Sequence, residues 1–481
     1  MRPFEAPLLA PALPEILLAI LALAILLAGV LFNGRYKIIA GLSILSLIAV
    51  ASTLCRMPHD VSLTFGGMFI TDSFAVYMKT VVLGGAAVAL LMSGGYLARN
   101  NIDRFEYPVL VLFSVVGMML MISANNLISL YMALELQSLP LYVLAAINRD
   151  NLRSTEAGLK YFILGALSSG LLLYGASLIY GYAGATGFPA IADAMRQSQG
   201  VPLGVVTGMV MMLAGLAFKL TAAPFHMWAP DVYEGAPTPV TAFFAIVPKL
   251  AAFALLIRLL TGAFGDIGDL WRQIIIALSV ASMTVGAVAA LLQSNIKRLL
   301  AYSSIGHMGY ALIGLVAAGN MGLRAIIIYL TLYVVMSIGV FCVVLMMRKK
   351  GQTVENISDL AGLAKTRPGL AFAMALLMFS MAGIPPMAGF FGKLFIFQAA
   401  VIGGYYTLAV FGVLTSVVAA YYYLRVIKVI YFDDSAETLE ACDEFGLKVM
   451  LFTSTLFVVF FIVMPSPLLQ AASVAAQSLT K

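Results

Sequence analysis

Residues 218–249 read FKLTAAPFHMWAPDVYEGAPTPVTAFFAIVPK. The stretch sets Lys219 and Lys249 inside apolar runs, each long enough to sit in a bilayer. Between them stand Pro224, Pro230, Pro237 and Pro239, an Ala-Ala-Pro break, and the acidic Asp231 and Glu234. Proline removes a backbone donor and clashes with the preceding turn. At membrane depth an interrupted helix survives only where protein or a water-filled cavity meets the freed backbone groups. Lysines at that depth are costly and mark ion or proton paths. The stretch therefore predicts a broken membrane helix, a turn, and a second helix carrying its own buried lysine.

The rest of the chain agrees. It has 481 residues, 62% hydrophobic and 10% charged, with a mean hydropathy of +1.01. No soluble surface can be made from that composition, so the class is an all-α polytopic membrane protein. Cys55, Cys342 and Cys442 show no metal spacing, and His59, His226 and His307 are scattered. No Rossmann fingerprint, P-loop or CxxC is present, so redox or nucleotide chemistry has to come from partners. The first apolar run, after Pro14 and opened by Glu15, reads as a spanning helix rather than a cleaved leader.

Runs of this length predict about fourteen spans. They cover 14–32, 37–55, 72–97, 108–122, 126–147, 154–182, 203–222 with a second half to 228, 240–260, 272–292, 296–316, 323–347, 369–383 with a second half to 402, 404–431 and 446–468. Between the second and third, VSLTF-GG-MFIT alternates about Gly66-Gly67 and reads as a hairpin. Loops after odd-numbered spans hold about 16 Lys and Arg, Lys297 and Arg298 among them; the other face holds about 7, Arg258 among them. That bias puts the first set in the cytoplasm and both termini in the periplasm. The basic residues left in the membrane are Lys79, Lys160, Lys219, Lys249 and Lys393, with no arginine. Arginine cannot release its proton in a protein, whereas a buried lysine can.

A weak internal repeat is visible. Phe218 to Pro224 and Phe379 to Pro385 share one Phe-to-Pro spacing, and each is followed by a Gly/Pro-rich break. They lie five spans apart, an odd number, so the units run in opposite directions. The expected organisation is N-terminal helices in 1–107, a first repeat in 108–261, a second, inverted five-helix repeat in 271–431, and a last helix in 446–481. The breaks fall in helices 7 and 12. Paired interrupted helices of this kind point to a transport site near the bilayer midplane.

Glu135 is the one carboxylate in NLISLYMALELQSLPLYVLAA, and its natural partner is Lys219. A static ion pair is the plain alternative. Lys249 follows Pro248 too deep in its run for easy snorkelling. Lys393 lies just after the second break, in IPPMAGFFGKLF. Lys160 sits nearer a helix end, where snorkelling and function are both open. Lys79 has Asp72 seven residues earlier as a local partner. His307, among Ser303, Ser304, Gly306 and Gly309, reads either as a relay or as a satisfied core histidine. His226, in the first break, can cap freed backbone groups or pass protons.

PFHMWAPDVYEGAPTPV, residues 224–240, is similar to the signature of the antiporter-like subunits of respiratory complex I, a family shared with multisubunit cation/proton antiporters. The resemblance spans nearly the whole chain, from Glu on the fifth helix to Lys on the seventh and eighth. Within the family it looks most like the N type, with the wording VYEGAPTPVT, lysine at 393, and no lateral extension after the last helix. It implies a proton-translocating membrane-arm subunit of NADH:quinone oxidoreductase in a bacterial inner membrane. NADH, FMN, iron–sulfur clusters and quinone are then expected in partner subunits, with no cofactor or metal in this chain. The implied neighbours are other membrane-arm subunits, further antiporter-like ones among them. Glu135, Lys219, Lys249 and Lys393 take the pathway roles, with Lys160 and His307 as intermediates. The competing reading is a subunit of a multisubunit cation/proton antiporter, which should bind or carry sodium.

Overall fold

The computed structural model describes residues 8–31, 34–57, 60–198, 200–317, 319–349, 351–434, 439–440 and 444–479. Arg2, His59, Lys350, Cys442 and Lys481 lie outside them. Helix dominates because lipid offers nothing to an unpaired N–H or C=O, so each crossing segment satisfies its own backbone.

Helices α1 (Leu13–Leu31) and α2 (Tyr36–Leu54) lead into an antiparallel hairpin, β1 (Ser62–Thr64) and β2 (Phe69–Thr71), with Ser62 opposite Thr71. Gly66 and Gly67 turn it with φ of 65° and 84°, as the alternating pattern predicts. Next come α3 (Ser73–Arg99), α4 (Glu106–Ile122), α5 (Leu127–Ala145) and α6 (Leu152–Ala183). Asp72, Asn126 and Asn151 cap α3, α5 and α6 by accepting backbone N–H groups. A short amphipathic helix, α7 (Phe188–Gln197), fills the loop before α8 (Leu203–Lys219) and its continuation α9 (Trp228–Gly235).

The next apolar run is split at Val247 into α10 (Thr238–Ile246) and α11 (Pro248–Arg258), because Pro248 has no N–H to continue the ladder. After it come α12 (Gly268–Ala290), α13 (Ile296–Ala317) and α14 (Gly319–Met346). A two-residue ladder, β3 (Arg348–Lys349) with β4 (Gln352–Thr353), and the single turn α15 (Leu363–Thr366) precede the second broken pair. That pair is α16 (Pro368–Ala382) and α17 (Ala388–Ile402); α18 (Tyr406–Phe432), α19 (Phe445–Phe460) and α20 (Ser466–Gln477) close the chain.

Ten helices among the described residues are long and apolar enough to cross a membrane. The shorter α4, α8 and α19 and the broken pair α16–α17 supply the other apolar segments, consistent with about fourteen crossings. The apolar run through α10 and α11 is buried along its whole length, and α13 and α14 nearly so, whereas α1 and α18 leave most of theirs uncovered. A helix apolar all round belongs inside a bundle. Close approach there is set by glycine: a Cβ on Gly286 of α12 would stand 2.5 Å from the Gly306 nitrogen of α13. The buried centre is thus α10–α11, α13 and α14; α11 carries Lys249, α13 His307, and α14 two of its tyrosine neighbours, Tyr329 and Tyr333.

Candidate functional site

The site begins at the first break. α8 stops at Lys219, and the chain turns through Pro224 before α9. Two groups meet the backbone that the break frees. Trp228 Nε1 donates to the Phe218 carbonyl at 3.0 Å, and Ser282 Oγ on α12 accepts from the Ala223 N–H at 2.8 Å. Lys219 is buried and donates to Ser138 Oγ at 2.7 Å and to Tyr142 Oη at 3.2 Å, both on α5. Glu135 does not pair with it directly: Glu135 Oε1 is buried and makes no hydrogen bond among the described residues. Glu135, Ser138 and Tyr142 are spaced by three and four residues, so they share one face of α5. The ammonium meets the two hydroxyls on that face, which corrects the expected contact pair.

Lys249 is the second residue of α11 and is buried. Its Nζ donates to Ser304 Oγ of α13 and lies 5.3 Å from the Tyr233 ring centroid. Tyr333 Oη of α14 donates to the same Ser304 Oγ at 2.8 Å. One ring away stands His307, whose centroid is 5.1 Å from that of Tyr333. Both imidazole nitrogens are engaged, Nδ1 with Tyr329 Oη at 2.7 Å and Nε2 with Tyr423 Oη at 3.1 Å. Tyr423 also shares a 2.5 Å hydrogen bond with Ser303 Oγ.

At the second break Lys393 of α17 folds back onto α16. Its Nζ donates to the Ala382 carbonyl at 2.8 Å and to Ser416 Oγ at 2.7 Å, and lies 5.0 Å from the Tyr310 centroid. Gly383 makes room for it. With φ at 89° it ends α16, and a Cβ there would stand 2.9 Å from Lys393 Cδ. Tyr310 is in turn 6.3 Å from the His307 ring. Lys249, His307 and Lys393 therefore sit in one buried cluster bridged by tyrosines. Between Tyr333 and His307, and between His307 and Lys393, the bridges are ring to ring.

Residues 124–419 match the family model described as NADH:quinone oxidoreductase/Mrp antiporter, TM. The chain is 54% identical to NADH-quinone oxidoreductase subunit N of Rhodospirillum rubrum over 99% of each chain. It is 55% identical to subunit N of Parvibaculum lavamentivorans over 98% of this chain and 97% of the relative. The chain belongs to the N-subunit family of NADH-quinone oxidoreductase. Among solved structures it is similar to a chain of respiratory complex I from Thermus thermophilus with bound aureothin. That match has a TM-score of 0.82 and 31% identity, covering 96% of this chain and 99% of that one. A chain of the Mrp complex from Dietzia superposes with the same TM-score at 22% identity, covering 98% and 97%, and shares the fold.

In this N-family chain the remaining charges fall differently from the sequence expectation. Lys79 does not use Asp72: its Nζ reaches Glu15 of α1 at 2.6 Å, with both side chains buried. Asp72 is taken instead by Arg258, at 2.7 and 3.0 Å, while Arg258 Nε donates to the Ile122 carbonyl at 2.6 Å. Arg258 is thus a buried arginine inside an apolar span rather than a loop charge. Asp72 is the N-cap that opens α3, and its carboxylate accepts from the Ala75 N–H as well as from Arg258. Lys297 is likewise buried, bonded to Glu355 at 2.7 Å and to the Ala236 carbonyl at 3.0 Å.

Lys160 stands apart from the buried cluster. It is half exposed and paired with Glu156 at 2.8 Å and Asp231 at 2.9 Å; Arg298 shares Asp231 and also binds Glu234. This network borders a polar cavity of about 360 Å3 lined by Asn148, Asn151, Glu234, Lys297 and Glu355. His226 has the Pro224 carbonyl as its neighbour, and its Nδ1 makes no hydrogen bond among the described residues. Capping of Phe218 falls to Trp228. Sequence reasoning placed Ser304 near His307 but not against Lys249, and it missed the other hydroxyls that receive the lysines and the histidine, Ser138, Tyr142, Ser416, Tyr329 and Tyr423, with Tyr333 behind Ser304. One signal was there, since Tyr329 and Tyr333 are spaced i, i+4 on an apolar helix and so share a face.

Proposed function

We propose that this chain carries protons in the membrane arm of a bacterial NADH:quinone oxidoreductase. It would take them from the cytoplasmic face, pass them by Lys219 and Lys249 to His307, and release them by way of Lys393. One observation carries the reading: Lys219, Lys249 and Lys393 are all buried, and the partners found for them are neutral hydroxyls and a carbonyl rather than carboxylates. A cation held only by neutral groups in lipid is far costlier than an ion pair, unless it can give up its proton.

In this reading the basic loop face is cytoplasmic and the polar cavity at Lys297 lies on that side. The broken helices belong to two oppositely directed units, 108–261 and 271–431. The redox groups (FMN, iron–sulfur clusters and quinone) reside in partner subunits, and NADH is oxidised there. Glu135 acts on Lys219 through space, across the hydroxyls of α5.

The test is a pair of variants, Lys249→Arg and Lys249→Met, assembled in the whole complex in inverted membrane vesicles. Arginine keeps the charge and holds its proton. Both variants should lower protons moved per NADH oxidised while leaving subunit content unchanged. Wild-type proton yield in the methionine variant would remove Lys249 from the pathway.

A further inference from the structure

Tyr233 of α9 is fully buried, and its Oη makes no hydrogen bond among the described residues. Burying a hydroxyl without a partner costs stability. The residue is held without it. Trp228 makes a T-shaped contact with the Tyr233 ring at 6.4 Å, and the Tyr233 carbonyl accepts from Thr241 Oγ1 at 2.9 Å. A phenylalanine would keep both contacts, so the packing gains nothing from the hydroxyl. Its place between the two lysines of the first repeat is informative. Tyr142, which accepts from Lys219, is 4.8 Å ring to ring from Tyr161, and Tyr161 stacks on Trp228 at 4.3 Å. The aromatic row that starts beside Lys219 therefore ends at Tyr233, whose ring centroid is 5.3 Å from Lys249 Nζ.

The hydroxyl faces Ser304. A serine has one proton to give and two lone pairs to offer. On Ser304 both lone pairs are taken, one by the Lys249 ammonium and one by Tyr333 Oη at 2.8 Å. Its own proton is what remains, and Tyr233 Oη is the unengaged acceptor beside it. The arrangement reverses once Lys249 is neutral. A neutral amine carries a lone pair, so the Ser304 proton can turn to it. Ser304 then has a lone pair free for the Tyr233 O–H. The direction of both hydroxyls follows the charge on Lys249.

We propose that Tyr233 is a proton-relay residue that recharges Lys249 through Ser304. The inference rests on the proton route proposed above and adds the group from which Lys249 takes its proton. In the step, the Ser304 O–H breaks as an N–H forms on neutral Lys249. The Tyr233 O–H breaks as a new O–H forms on Ser304. Tyr233 regains a proton that leaves the Lys219 ammonium and crosses by water. One proton enters, one arrives at Lys249, and neither hydroxyl is left charged.

The test uses the whole complex in inverted vesicles, with wild-type chain, Tyr233→Phe, Ser304→Ala, the double variant and Lys249→Met. Tyr233→Phe should assemble fully and resist heat at least as well as wild type, because it removes an unpartnered buried hydroxyl and keeps the ring. Its rate of NADH-driven acidification should nonetheless fall by at least about threefold. The two hydroxyls act in series, so the double variant should pump as Ser304→Ala does alone. Wild-type pumping in Tyr233→Phe, with Lys249→Met slow, overturns the relay and leaves the route standing. Wild-type pumping in Lys249→Met removes the route and the relay with it. Multiplied losses in the double variant, or a fall in heat resistance that matches the fall in pumping of Tyr233→Phe, overturn the relay as well, the second by showing the hydroxyl to be structural.

Discussion

Lys393 Nζ donates to the carbonyl of Ala382 at 2.8 Å, so the lysine of α17 caps the helix that ends before it. Ala382 is the last residue of α16, and its carbonyl has no onward helical partner. A buried carbonyl left without a donor costs about 1–3 kcal/mol. The same ammonium also reaches Ser416 of α18, so three helices meet on one nitrogen.

Replacing Lys393 by methionine should therefore do two things at once. Proton yield per NADH should fall, and the complex should lose stability by about 1–3 kcal/mol from the uncapped carbonyl. Lys393→Arg keeps a donor and should recover the stability but not the yield. Thermal inactivation and vesicle acidification, measured on the same preparations, separate the two. A methionine variant with normal pumping removes Lys393 from the route.

The Glu15–Lys79 pair should behave as structure. Either single change, Glu15→Leu or Lys79→Met, leaves one buried charge alone, at a cost of about 3–5 kcal/mol. The double change removes both charges and should restore assembly towards wild type. Subunit content in membranes reads this directly. If the double variant assembles but pumps poorly, the pair takes part in transfer.

Around His307 the tyrosine hydroxyls are the test. Tyr329→Phe and Tyr423→Phe each remove one hydrogen bond from the imidazole and keep the ring that packs there. Each should slow coupled turnover moderately, and the pair should cost more than either alone. Equal rates in the double variant and wild type would show His307 to be a packed core residue.

Glu135→Gln should weaken pumping less than Lys219→Met. The carboxylate Oε1 makes no hydrogen bond among the described residues, whereas Lys219 bonds Ser138 and Tyr142 directly. Proton yields in matched vesicles rank the two. A larger loss at Glu135 would mean that Lys219 draws its charge balance from it alone.

Much of this was legible in one chain because proline and buried charge speak locally. Pro224 and Pro385 mark the two breaks, and Lys219, Lys249 and Lys393 are conspicuous in apolar runs. What hid was anything decided by how helices are rotated against each other. Glu15 and Lys79 are 64 positions apart and meet only once α1 packs near α3. Asp72 looked like a neighbour for Lys79 by spacing, yet its carboxylate caps α3 and bonds Arg258. Arg258 and Lys297 were counted with the loops because each sits near the end of an apolar run, where sequence alone cannot tell a solvated terminus from a packed one. Serine and tyrosine in lipid-facing and core-facing positions read alike, so the partners of the lysines had no mark of their own.

The two breaks also differ in how they respond to load. Phe218 is held by the indole of Trp228, a donor whose strength does not vary with proton traffic. Ala382 is held by an ammonium, and a charge-assisted hydrogen bond is roughly twice as strong as a neutral one. If Lys393 gives up protons as proposed, each departure would slacken the α16–α17 joint and each return tighten it, while the α8–α9 joint stays clamped. Backbone amide exchange over residues 383–389 should then follow turnover, and exchange over 220–228 should not. One elbow of the protein is a weld and the other a spring.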